Sequence, residues 1–129
     1  MTGRFLLDTN IIIALLKNDA SIHDNLSNAR EVFIPVVSLG ELYFGARKSG
    51  RVEENLSTID AFAAKNVILD CNTQTARLYG EIKNNLHEKG RPLPENDIWI
   101  AALARQHNLT LVTRDVHFED VETLTCEKW

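Results

Sequence analysis

Cysteine is nearly absent from this sequence: Cys71 and Cys126 are the only two among 129 residues, and they form no CxxC pair. Two distant thiols are too few for a sulfur-held zinc site, and a disulfide is not expected in a reducing compartment. Both are read as ordinary core or surface residues. Long apolar runs are missing too. The longest, such as Ile11 to Leu16, fall far short of the roughly 20 residues that cross a bilayer, so no membrane span is expected. The opening MTGRFLLDTN meets an acid too early for a signal-peptide apolar region, which makes the expected location cytoplasmic. An excess of positive charge is lacking as well. Fourteen Lys and Arg stand against eighteen Asp and Glu, a net charge of -4 that argues against a dedicated nucleic-acid surface. No internal repeat, low-complexity segment or interdomain linker is present, and Arg91-Pro92-Leu93-Pro94 reads as a loop between helices.

What is present is an ordinary globular composition. Hydrophobic residues at 44% and charged residues at 25% allow a packed core, and 129 residues suit one domain spanning 1–129.

Phe5-Leu6-Leu7 ends abruptly at Asp8-Thr9-Asn10, a pattern that predicts a buried strand over 4–8 followed by a helix start. Apolar residues then continue from Ile11 to Leu16, and a second helical stretch covers 21–30. Val32 to Val37 is rich in β-branched residues and predicts a second strand, with Pro35 near its end. A helix is expected from Ser38 to about Lys48. Val52, Leu56, Ile59, Phe62 and Ala63 recur at helical spacing, and Val67-Ile68-Leu69 is a third strand. A long helix runs from Asn72 to about Lys89, stopped by Gly90 and Pro92, and another from Glu95 to His107, where Asn108 suits a left-handed terminator. Leu109 to Thr113 is a fourth strand and Glu122 to Cys126 a fifth. Strands alternating with helices imply an α/β fold whose mostly parallel sheet is covered on both faces.

Four acids lie at the ends of these elements. Asp8 and Asp115 follow apolar strands, while Glu41 and Asp97 fall in the first turns of helices. In an open parallel sheet, functional residues gather beyond the carboxyl ends of the strands, where the strand order reverses. A central first strand, flanked by the second and fourth, would bring the acids together. Each has an ordinary explanation: Ser38-x-x-Glu41 fits a capping box, Asp97 suits a helix dipole, Asp8 could cap its helix and Asp115 could hold a turn. Four carboxylates gathered together, however, repel one another unless a cation is shared. An oxygen-only donor set suits Mg²⁺ or Mn²⁺ over zinc, and such metals activate water for attack on a phosphodiester. Without those four acids the basic and acidic counts balance at fourteen each.

The segments LLDTN, SLGEL, LPENDIWIAALA and LVTRDVHF, in this order and spacing, resemble the PIN-domain ribonucleases. The resemblance covers nearly the whole chain, and is closest to the short VapC-type toxins of bacterial toxin–antitoxin modules. It implies a PIN-like three-layer α/β/α sandwich with a four- or five-stranded, mostly parallel sheet. Matched position by position, Asp8, Glu41, Asp97 and Asp115 correspond to the family's four acids, which serve as catalytic and metal ligands. Asn10 and Thr113 occupy positions that often lie beside the metal and are candidates to orient carboxylates or water. The resemblance further implies cleavage of structured RNA such as a tRNA or ribosomal RNA loop, inhibition of translation, and homodimers. It also implies silencing by a VapB-type antitoxin, within a hetero-oligomer that touches DNA only through the antitoxin.

Arg47, Lys48, Arg51 and Arg114 are candidates to meet RNA phosphates, although a solvated face is the plainer reading of the first three and explains Arg114 equally well. His117 is read as a surface or partly packed histidine. Tyr43, Phe44, Trp99 and Ile100 are read as core or dimer-interface residues. The run Ile11-Ile12-Ile13 exceeds one helical face and suggests contact on two sides, with an exposed groove that could take an antitoxin helix. Two rival readings are a phosphatase of the haloacid dehalogenase type and a non-catalytic binding module. The phosphatase needs a second aspartate two residues after Asp8, where this chain has Asn10. The complete acid quartet disfavours the module.

Overall fold

A computed structural model describes residues 3–129. Its strands are β1 (Arg4–Leu7), β2 (Glu31–Pro35), β3 (Val67–Leu69), β4 (Thr110–Val112) and β5 (Cys126–Glu127). They form one sheet in the order β3-β2-β1-β4-β5, and every pairing is parallel. The helices are α1 (Thr9–Leu16), α2 (Ala20–Ser27), α3 (Val36–Arg47), α4 (Val52–Lys65), α5 (Thr73–Glu88) and α6 (Glu95–Gln106), with a 3-10 turn over Val116–Asp120.

Alternation along the strands divides the apolar residues between two cores. Phe5 and Leu7 of β1 join Ile34 and Val112 beneath α1, α2, α3 and α4, through Ile11, Ile12, Ile22, Leu39, Leu42 and Phe62. Leu6 and Leu111 face the other way and meet Ile82 and Leu86 of α5 and the Ile98–Ala104 stretch of α6. The result is the expected three-layer α/β/α sandwich with five strands. α6 is buried almost all round: Ile100, Ala101, Ala102 and Leu103 are each fully buried. Such a helix positions anything in its first turn rigidly, and Asp97 lies there.

Most elements fall where the sequence places them, with four shifts. α2 ends at Ser27, three residues before the expected 30, where Asn28 caps it. β2 ends at Pro35, not Val37, and α3 begins at Val36. Proline has no N–H for the ladder, and its fixed φ suits the residue preceding a helix, so two valines of strand-like character open the helix. β5 lies at Cys126–Glu127, with Glu122 to Leu124 outside it. The 3-10 turn after Asp115 was not expected from periodicity, since five residues are too few to show one. Asn108 (φ 54°) and Gly90 (φ 67°) take the left-handed conformation that ends α6 and α5.

The sheet order puts β1 at the centre, with β2 on one side and β4 on the other. The chain builds outward through β2 and β3, then returns across β1 to place β4 and β5. The reversal occurs beside β1, so the loops after β1 and β4 open onto the crevice where parallel sheets carry their sites.

Candidate active site

Asp8 leaves the end of β1 with its N–H still in the ladder, donating to the Val112 carbonyl at 2.9 Å. Its side chain is only 5% exposed. One carboxylate oxygen, Oδ1, accepts from the Thr9 N–H at 2.8 Å, so Asp8 does cap α1. The other, Oδ2, accepts from Thr113 Oγ1 at 2.7 Å and from Asn10 Nδ2 at 3.3 Å. Both candidates for orienting a carboxylate therefore bear on Asp8. Thr113, buried at the end of β4, also accepts the Asp115 N–H at 3.0 Å, and Asn10 Oδ1 takes the Arg114 N–H at 3.3 Å. The loops after β1 and β4 are thus stitched together through side chains.

Glu41 does not cap α3. The helix opens five residues before it with Pro35 at the cap and no side-chain cap bond, so the capping-box reading of Ser38 and Glu41 fails. Ser38 and Glu41 both turn to Thr9 of α1, whose Oγ1 stands 2.8 Å from Ser38 Oγ and 3.0 Å from Glu41 Oε1. Asp115 does hold a turn: its Oδ1 accepts the His117 N–H at 2.9 Å and lies 2.7 Å from His117 Nδ1. His117 is a surface residue, as expected, but one seated on an acid of the site. In the sequence neither Thr9 nor Ser38 has a part in the site: Ser38 reads there as a helix cap, and Thr9 only as part of a helix start. The available signal was spacing, since residues three apart on a helix share a face and Ser38 precedes Glu41 by three.

The electrostatics show that the four acids share one region. Burial pushes the Asp8 carboxyl up, against the opposing effect of its hydrogen bonds, and the charge of Asp115 adds to the rise. Burial likewise raises Glu41, with Asp8 adding to it and the Thr9 hydroxyl opposing. Asp97 is pushed up to about 6, first by burial and then by the charges of Asp8, Asp115 and Glu41 together. Only Asp115 is lowered, by the His117 N–H and ring. Asp97 has no hydrogen bond among the described residues to offset that repulsion. As they stand, no three His, Cys, Asp or Glu side chains among the described residues are close enough to enclose one metal ion. The donor chemistry still fits a hard divalent cation, because the set is all oxygen and carries mutual repulsion that a cation removes.

Arg114 is occupied elsewhere than the sequence reading placed it. Its guanidinium meets Asp19 Oδ2 at 3.1 Å and the Trp129 carbonyl at 3.0 Å, clamping the start of α2 to the Trp129 region. Trp129 is buried and packs edge-on against Phe5, with ring centroids 5.1 Å apart. Ser21 and Arg114 hold the Asp19 carboxyl down to about 2. A carboxyl lowered on folding stabilises the fold above its unfolded value, near 4, and loses that contribution as pH falls toward 2. Arg114→Gln is therefore expected to lower the unfolding temperature at neutral pH, with the difference from wild type closing between about pH 4 and pH 2 in thermal melts.

The other basic candidates are exposed on and after α3. Lys48 Nζ sits 5.0 Å over the Phe44 ring, and Arg51 pairs with Glu54. Phe44 is 65% exposed, so it is not the core residue the reading allowed, whereas Ile100 is fully buried. Tyr43 donates to Asp60, and Trp99 stacks on Tyr79 at 4.2 Å. Ile11 and Ile12 are buried, while Ile13 is exposed along a groove of about 720 Å³ that it lines with Leu16, Leu42, Ile59 and Glu41. The run thus meets the core through Ile11 and Ile12, while Ile13 is left on the exposed side. Cys71 and Cys126 are free thiols.

Residues 5–124 match the PIN domain family. The tRNA(fMet)-specific endonuclease VapC of Shigella flexneri is 38% identical, over 98% of each chain, and ribonuclease VapC2 of Haemophilus influenzae is 37% identical over the same share of each. A DNA-bound VapBC of Salmonella typhimurium contains a chain 34% identical that superposes with a TM-score of 0.92, over 100% of this chain and 99% of that one. A match across nearly the full sequence and the full fold, with four acids gathered at the switch point of a parallel sheet, leaves one assignment: the chain belongs to the PIN-domain family and, within it, to the VapC ribonucleases of toxin–antitoxin modules.

Proposed function

We propose that this chain is a Mg²⁺- or Mn²⁺-dependent endoribonuclease that cleaves structured RNA, with Asp8, Glu41, Asp97 and Asp115 as its metal ligands and catalytic acids. The observation that carries the reading is the gathering of four carboxylates beyond β1 and β4, where burial first and then the charges of Asp8, Asp115 and Glu41 raise Asp97, a cost that a bound cation relieves. A bound divalent ion supplies an activated water and neutralises charge developing on the phosphate. The protein's own residues do the positioning. Thr113 and Asn10 fix the Asp8 carboxylate, the Thr9 hydroxyl restrains Glu41, and α6 presents Asp97 from a rigid core helix. The Asp115 carboxylate is kept ionised by the His117 N–H and ring.

A tRNA is the substrate class we favour, because relatives at 34–38% identity are named tRNA(fMet)-specific endonucleases. Cutting a tRNA would stop translation and give the toxic effect. Arg47 and Lys48 are available to meet RNA phosphates, as is Arg51 once its exposed pair with Glu54 opens, whereas the Arg114 guanidinium is held by both Asp19 and the Trp129 carbonyl. A VapB-type antitoxin is the proposed partner, with DNA reached through it, as several similar structures are VapBC complexes and two of them are bound to DNA. The apolar groove beside Glu41 has the lining an antitoxin helix needs. A homodimer in the cytoplasm completes the proposal, and no described helix is long and apolar enough to cross a membrane.

Purified protein incubated with an initiator tRNA transcript is expected to cleave it with Mg²⁺ or Mn²⁺ and to stop when EDTA is added in excess. Cleavage that persists in EDTA overturns the metal dependence. Absence of cleavage with either metal, alongside tight tRNA binding, favours the non-catalytic module.

A further inference from the structure

We infer that Ser38 and Thr9 form a hydrogen-bonded relay that positions the Glu41 carboxylate, making Thr9 a positioning residue for two acids of the site at once. This rests on the proposed reading of those acids as the reaction centre.

The direction of the relay follows from counting protons. Thr9 Oγ1 lies within hydrogen-bond distance of both Ser38 Oγ (2.8 Å) and Glu41 Oε1 (3.0 Å). A hydroxyl has one proton to donate, and an ionised carboxylate can only accept. The Thr9 proton therefore goes to Glu41, and a lone pair of Thr9 Oγ1 receives the proton of Ser38. Ser38 is fully buried, so water does not take the place of Thr9 as the partner of its hydroxyl. A serine inside a helix commonly bonds back to a carbonyl of the preceding turn, yet here its side chain reaches across to another helix. The arrangement spends a buried hydroxyl on fixing the orientation of a second hydroxyl, which in turn fixes a carboxylate.

Thr9 also serves Asp8. Its backbone N–H donates to Asp8 Oδ1 at 2.8 Å, while its side chain holds Glu41, so one residue in the first turn of α1 sets both acids relative to each other. Glu41 borders the open groove that Thr9 and Ile13 also line. Without the hydroxyl, Glu41 would keep the repulsion of Asp8 and lose its tether, and its flexible side chain would swing toward that groove.

The test compares Thr9→Val, which exchanges the hydroxyl for a methyl, with Thr9→Ser, which keeps it, and with Ser38→Ala. Two readouts are taken: Mn²⁺ binding to the metal-free protein by calorimetry, and kcat and KM on an initiator tRNA transcript, with Asp97→Asn as the inactive reference. Thr9→Val is expected to lower kcat by about tenfold to a hundredfold and to weaken Mn²⁺ binding about tenfold, with KM little changed. Thr9→Ser should recover most of both losses. Ser38→Ala should show a smaller loss, and adding it to Thr9→Val should cost nothing further, since the relay is already broken. Wild-type cleavage and Mn²⁺ binding by Thr9→Val beside an inactive Asp97→Asn overturn the relay alone. Equal impairment of Thr9→Val and Thr9→Ser overturns it too, by assigning the effect to packing. Full cleavage by Thr9→Val and Asp97→Asn together overturns the reading of the site, and the relay with it.

Discussion

Replacing Asp97 by asparagine is expected to abolish RNA cleavage, by roughly a thousandfold or more in kcat, while making the metal-free protein more stable. The two effects share a cause. Asp97 is raised to about 6 by burial first and then by the charges of three other carboxylates, so at neutral pH the folded chain carries a charge that it would carry more easily when unfolded. An aspartate raised on folding favours the fold while protonated and opposes it once ionised. Stability from this group therefore declines as pH rises from about 4 to 6 and stays reduced above that. Asparagine keeps the shape and removes the charge. A gain on the order of 1–2 kcal/mol at pH 7 is expected after allowing for solvent screening, shrinking to nothing near pH 4. Urea melts of wild type and Asp97→Asn in EDTA, at pH 4 and pH 7, measure it. A variant that is less stable than wild type at pH 7 would show that Asp97 is a dipole-stabilising residue at a helix start and not a charge held at a cost by burial and repulsion.

Thr113→Val is expected to do the opposite to stability while also impairing cleavage. Thr113 is buried, and its hydroxyl donates to Asp8 Oδ2 at 2.7 Å and accepts from the Asp115 N–H at 3.0 Å. Valine has nearly the same shape but leaves a buried carboxylate oxygen and a backbone donor short of partners. The cost should be about 1–3 kcal/mol in the metal-free protein, with a loss of about tenfold to a hundredfold in kcat from a misdirected Asp8. Chemical denaturation and cleavage rates on the same preparation measure both, and Thr113→Ser should recover most of each. Unchanged stability in Thr113→Val would mean that solvent reaches Asp8 freely. The two variants together separate a group whose cost to the fold serves the reaction from one that serves the fold and the reaction alike.

The contrast also shows why four acids with ordinary local explanations are not equivalent. Asp8 is a helix cap and Asp115 a turn former, as their surroundings in the sequence allow, and those roles coexist with the shared site. Glu41 is the exception. Its local pattern with Ser38 reads as a capping box, but the helix starts earlier, at Val36, because Pro35 closes the strand and opens the helix. Both side chains were thereby released for a contact with α1 that lies 29 and 32 residues away along the chain.

What the sequence determined by itself was local in origin or carried by motif. The apolar run Phe5-Leu6-Leu7, helical spacing in α4, α5 and α6, and the stops at Gly90 and Asn108 are consequences of backbone geometry within a few residues, and each is visible in the order of residues. The quartet and its family resemblance were legible for the same reason, since each acid sits in its own short motif. Tertiary structure alone decided which side chains meet. The clamp of Arg114 on Asp19 spans 95 residues and the bond from Thr113 to Asp8 spans 105, and no local pattern encodes either. The relay through Thr9 and the rise of Asp97 belong to the same class. They depend on the sheet order that sets β1 between β2 and β4, because hydrogen bonds and charge repulsion act over a few ångströms of space, whatever the separation along the chain.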